Sequence, residues 1–121
     1  MNIKHIAQQA LSLSDLAAGR EVVTSDELVK LPAISICGID PVEVPDLDGE
    51  LRKTYIVICT ELPENYFYAN TLLIKIFDKC IEVAEGDISA VNDELERNPL
   101  EVKMVMSKTK KGMPIMRVEL L

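Results

Sequence analysis

The sequence predicts an α+β fold: five antiparallel strands forming a barrel or sheet, helices between the third and fourth strands, and further helices at the N-terminus. Three observations carry this prediction. The apolar period switches from helical spacing to alternation near Ala33. It returns to helical spacing between Asn70 and Leu95. The chain then closes with two alternating runs joined by the glycine-containing turn "KTKKG".

Each element has its own signal. Residues 3–17 place Ile3, Ile6, Ala7, Ala10 and Leu11 at helical spacing and predict a short amphipathic helix. Thr24 followed by Glu27 reads as a capping box, so a second, brief helix starts there. It stops before Pro32, whose ring disfavours helical geometry at Leu31. Residues 33–39 have the pattern of a strand, and residues 41–45 extend it. Pro41 and Pro45 lack the N–H that a ladder needs, which places this second piece at a sheet edge. Asp48-Gly49 favours a tight hairpin turn.

Residues 51–62 predict the central strand, apolar on both faces around Tyr55-Ile56-Val57-Ile58-Cys59, and Pro63-Glu64-Asn65 ends it. Residues 70–84 predict a helix with Leu72, Leu73, Ile76, Phe77, Cys80 and Val83 or Ala84 on one stripe. Gly86 suits the position past its end, and Asp87 can cap another helix that carries Ile88, Val91 and Leu95 and stops at Asn98-Pro99. Val102, Met104 and Met106, then Met116, Val118 and Leu120, alternate with polar neighbours in the closing hairpin. The resulting β-β-β-α-β-β order is that of the OB-like (oligonucleotide-binding) barrel. One domain is expected over residues 1–121, with an N-terminal helical segment, 1–31, packed on a core formed by 32–121.

Composition excludes several classes. Apolar residues make up 48% and charged residues 27%, which suits a globular chain and not a disordered one. No apolar run approaches the ~20 residues that span a bilayer. Gln8 and Gln9 interrupt any secretory apolar region, so the expected location is the cytoplasm. Cys37, Cys59 and Cys80 form no CxxC pair, and His5 is the single histidine, so no metal site is expected. Each Cys lies in an apolar periodic segment and reads as a reduced core thiol.

Charge is unevenly spread over the −7 total. Residues 1–102 hold eight Lys and Arg against 19 Asp and Glu, a balance of −11. Residues 103–121 hold five against one, a balance of +4.

Catalytic constellations are scarce. There is no phosphate-cradling glycine loop, no HExxH and no nucleophile elbow, and His5 has no partnered nucleophile. Asp93, Glu94 and Glu96 fall on the polar face of a helix, and Asp46-Leu47-Asp48-Gly49 lacks the closing Glu of a calcium loop. The chain therefore reads as a non-enzyme without a cofactor. Two features remain. One is a basic hairpin: Lys108, Lys110 and Lys111 at the turn, with Lys103 and Arg117 on the strands below. Lysines at such a turn also aid solubility and guard a sheet edge. The other is Tyr66-Phe67-Tyr68, where Phe67 suits the core and Tyr66 and Tyr68 suit the surface. Tyr55, beside Lys53, is a weaker aromatic candidate. Aromatic rings near cations hold single-stranded nucleic acid by stacking and phosphate contact.

The stretch from Tyr55 through "CTELPENYFYANTLLIKIFDKC" and then "EVKMVMSKTKKGMPIMRVELL" resembles small cytoplasmic proteins of phages and integrative conjugative elements of Gram-positive bacteria. It covers roughly residues 50–121. Some of those proteins resemble single-strand-binding OB domains, and the resemblance implies a replication or transfer role. The expected function is thus weak binding of single-stranded nucleic acid through Lys103, Lys108, Lys110, Lys111, Arg117, Tyr66 and Tyr68. The alternative is an acidic adaptor or inhibitor whose residues 40–50 and 87–96 engage a basic protein, or mimic nucleic acid before one. A homodimer formed by strand addition is also open.

Overall fold

The computed structural model describes Ala17 and residues 19–121. The helix expected over residues 3–17 lies outside the described residues, Ala17 apart. Among the described residues the architecture is α+β, a curled six-stranded mixed sheet with three helices. The sheet order is β1-β4-β3-β2-β5-β6.

β1, Glu21–Val22, runs parallel to β4, and the other pairings are antiparallel. Two residues give no periodic signal, so the sequence predicted no strand here. Hydrogen bonds from Glu21 N to Glu64 O (3.1 Å) and Val23 N to Tyr66 O (2.8 Å) hold it in place. α1, Ser25–Val29, begins at Thr24, whose hydroxyl accepts from Glu27 N, and buries Leu28.

β2, Ile34–Pro45, joins two segments expected to be separate. It pairs with β5 over residues 34–36 and with β3 over residues 36–45, with a bulge between Ile36 and Gly38. The bulge lets the strand turn from one neighbour to the other without breaking. Pro41 and Pro45 lie where β3 flanks β2 on one side and no strand of the described chain pairs with the other. There the Asn92 side chain acts as a substitute strand. Ile39 N donates to its Oδ1 (2.8 Å), and its Nδ2 donates to Ile39 O (3.0 Å).

β3, Leu51–Cys59, is central as expected but ends three residues earlier. The chain turns over residues 60–64, and Asn65–Tyr68 forms β4. This corrects the sequence reading, which left the three aromatics outside any strand. Alternation along β4 buries Phe67 beside Val57 and turns Tyr66 and Tyr68 to the other face.

α2, Thr71–Val83, is capped by Asn70, and α3, Ile88–Arg97, by Asp87. β5, Leu100–Lys108, and β6, Pro114–Leu120, form the closing hairpin. The inner face of the sheet carries Ile34, Ile36, Val57, Val102 and Met104, all fully enclosed, against Leu73 and Phe77 of α2 and Val91 of α3. Tyr55 also points inward. Its ring meets Phe77 edge-on at 5.5 Å, and its hydroxyl bonds the Asp78 carboxylate. Burial, reinforced by that carboxylate, pushes its pKa well above the ordinary tyrosine value. Tyr55 is therefore a core residue, and its candidacy as a surface ring is withdrawn.

The cysteine expectation holds for Cys59, which is buried, while Cys37 is half-buried. Cys80 is exposed, which corrects it, because α2 turns that side toward α3 and away from the sheet. Among the described residues, no helix is long and apolar enough to cross a membrane.

Candidate nucleic-acid interface

The β5–β6 register settles which side chains share a face. Lys103 lies opposite Glu119, Val105 opposite Arg117, and Met104 opposite Val118. Lys103 and Arg117 therefore lie on the outer face, with the methionines on the inner one, as the alternation predicted. Glu119 stands directly beside Lys103, so the outer face is not an unbroken cationic stripe.

The turn itself is well defined. Gly112 N donates to Thr109 O (2.9 Å), Thr109 N to Met113 O (2.9 Å), and Met113 N to the Thr109 hydroxyl (3.2 Å). Gly112 has φ 78, a conformation that a side chain makes costly. Lys110 and Lys111 occupy the middle of this turn and are exposed, as is Lys108 at the end of β5. Among the described residues, none of the five hairpin cations forms an ion pair within 4.0 Å.

Tyr66 and Tyr68 sit two residues apart on the outer face of β4, with rings 5.8 Å apart and edge to face. Tyr68 is 42% exposed and Tyr66 half-buried. Burial, then the neighbouring Tyr66 hydroxyl, raises the Tyr68 pKa above the ordinary tyrosine value. Ile56, paired with Tyr68 on β3, is only 5% exposed. The rings thus share the outer face with Lys103 and Arg117, whereas Lys108 has the parity of the inner-face methionines and Lys110 and Lys111 lie in the turn, and β3 and β2 stand between rings and cations. They are two patches and not one groove.

One cation escaped the sequence reading. Arg52 on β3 has the same parity as Ile56 and so shares the outer face, but its Nε is held by Asp46 Oδ2 at 2.8 Å. Asp46 also accepts from Asp48 N and Glu50 N, and with the Arg52 bond leading, these contacts lower its pKa. This acidic turn, residues 46–50, connects β2 to β3. In strand register it lies at the opposite end of the sheet from the basic turn.

Glu61 bridges Ser35, accepting from its N–H (2.6 Å) and its hydroxyl (3.0 Å). Burial raises the pKa of both Cys37 and Cys59, so neither is an activated nucleophile. Among the described residues, no three His, Cys, Asp or Glu side chains gather where they could hold a metal ion. Compared with protein-family models, curated proteins and solved structures, the chain finds no match.

Proposed function

We propose that this chain is a non-enzymatic, OB-like domain of a phage or other mobile element that binds single-stranded nucleic acid weakly. OB barrels take oligonucleotides across the face of their second and third strands and at the loops joining strands one to two and four to five. With the two-residue β1 set aside, β3 and β4 take the second and third places, and the basic turn takes the four-to-five position. Tyr66 and Tyr68 then lie on the binding face, and Lys108, Lys110 and Lys111 lie in the binding loop. That coincidence of the tyrosine pair with one position and the lysine turn with the other carries the reading. Lys103 and Arg117 extend the phosphate contacts along the hairpin. The acidic turn at residues 46–50 occupies the one-to-two position and opposes a polyanion, which accounts for weak binding.

The same acidic turn favours a second reading. Asp48 and Glu50 are exposed, and with Asp93 and Glu94 of α3 they offer a negative surface to a basic protein. One titration separates the two. A labelled single strand of about 16 nucleotides covers one OB-type site. Its fluorescence anisotropy should rise with protein at low salt. With five phosphate contacts, log K should fall with log salt at a slope of roughly −3.5. Lys110→Glu combined with Lys111→Glu should weaken binding at least several-fold. No binding at low salt contradicts the single-strand reading and favours the acidic one.

A further inference from the structure

We infer that the open face between α2 and α3 is the interface of a homodimer. The two helices diverge from the turn at residues 84–87 and leave a groove of about 660 Å³. Its floor is apolar: Ile76, Cys80, Val83 and Ala84 from α2, and Val91 and Leu95 from α3. Val83 is 74% exposed, and Cys80 is also exposed.

α2 has more apolar surface than the sheet uses. Leu73 and Phe77 fill the core, yet Ile76, Cys80 and Val83 continue at spacings of four and three residues on an adjacent stripe. Ile76 packs partly on the core, but Cys80 and Val83 on the same stripe are exposed, which is the pattern of a helix with a second packing partner.

The rim selects that partner. Lys75 and Lys79 line the α2 side, and Glu94 lines the α3 side. A surface with one basic and one acidic rim is complementary to itself. A two-fold axis along the groove sets each basic rim over the acidic rim of the other copy. A two-fold axis across the groove would set like rims together, so the charges also fix the orientation. In the favoured arrangement the α2–α3 pairs form a four-helix layer, and the two Cys80 side chains face each other across the axis. Lys79 and Glu94 already make exposed pairs with Glu82 and Arg97, both at 3.6 Å, which the interface can exchange at little cost.

This surface lies away from the β5–β6 turn and the Tyr66–Tyr68 pair, so the inference stands apart from the nucleic-acid reading. Light scattering on the full chain at tens of micromolar should give twice the 13.5 kDa chain mass. Val83→Glu should return it to monomer with an unchanged circular dichroism spectrum, since that side chain is mostly exposed. Lys79→Glu should weaken the dimer, and adding Glu94→Lys should restore it. Mild copper-catalysed oxidation should cross-link the wild type through Cys80, and Cys80→Ser should abolish the cross-link. A monomer with Cys80 readily alkylated overturns the inference. A monomer with Cys80 protected also overturns it, and points to residues 1–16 of the same chain as the cover. A dimer indifferent to Val83→Glu overturns it in favour of another surface, such as the β6 edge.

Discussion

Asn92 is a helix residue that completes a sheet. Its amide bonds both the N–H and the C=O of Ile39, where β2 has left β5 behind. Asn92→Ala leaves two backbone groups of the buried Ile39 without partners and should cost about 1–3 kcal/mol in urea unfolding. A loss below a few tenths would show that water replaces the amide. Glu61 is a second point of local control. Burial alone would raise its pKa, but hydrogen bonds from Ser35 and Thr60 outweigh burial and lower it. A carboxyl more acidic in the folded state contributes stability above its unfolded pKa and loses it as pH falls through the folded value. The acid limb of the stability–pH curve should therefore flatten in Glu61→Gln, and an identical limb would contradict the assignment. Neither residue was legible in the sequence. Asn92 falls among charged residues on a polar helix face, and Glu61 sits in a turn; their roles come from partners 53 and 26 positions away.

Elements were more legible than their faces. α2 and α3 appear where capping residues and apolar spacing placed them, and the closing hairpin has its turn at the basic segment. What the spacing could not reveal was how the broad stripe of α2 is divided. Leu73 and Phe77 enter the core, Cys80 and Val83 do not, and Leu72 is 42% exposed. A helical stripe reports apolarity and not which neighbour covers it. Phe77→Ala should accordingly cost about 3–5 kcal/mol. Leu72→Ala, five residues earlier on the same helix, should change stability by no more than about 0.5 kcal/mol. Comparable losses would mean that the helix is rotated from this placement. β2 was read as two pieces because Pro41 and Pro45 set the second apart as an edge strand, whereas a single strand with a bulge between Ile36 and Gly38 runs through both. β4 was missed because four residues between two turns offer too short a window for alternation to register.

At the scale of the whole molecule, the uneven charge of the sequence becomes an uneven charge of the sheet. The basic turn of β5–β6 and the acidic turn of β2–β3 lie at opposite ends in strand register, a polarity that, on the proposed reading, directs a polyanion to the lysine turn. Asp48→Lys combined with Glu50→Lys should tighten single-strand binding several-fold at low salt, because both side chains are exposed and neither closes the Asp46 turn through its carboxylate. Unchanged affinity would remove the acidic turn from the binding surface. The sheet also stays open between β6 and the start of α2. A groove of about 640 Å³ separates residues 115–118 from residues 69–74, so where a five-stranded barrel or sheet was expected, the six strands form a half-barrel among the described residues. Barrel closure depends on pairings between strands distant in sequence, which element order alone does not specify.

On the proposed function, single-stranded nucleic acid contacts the tyrosine pair and the lysine turn together. Backbone amide chemical shifts recorded during titration with a short oligonucleotide test it most directly. Shifts are expected at residues 65–68 and 108–113, with little change along α3. Shifts confined to residues 46–50 and α3, or no shifts at low salt, would contradict it.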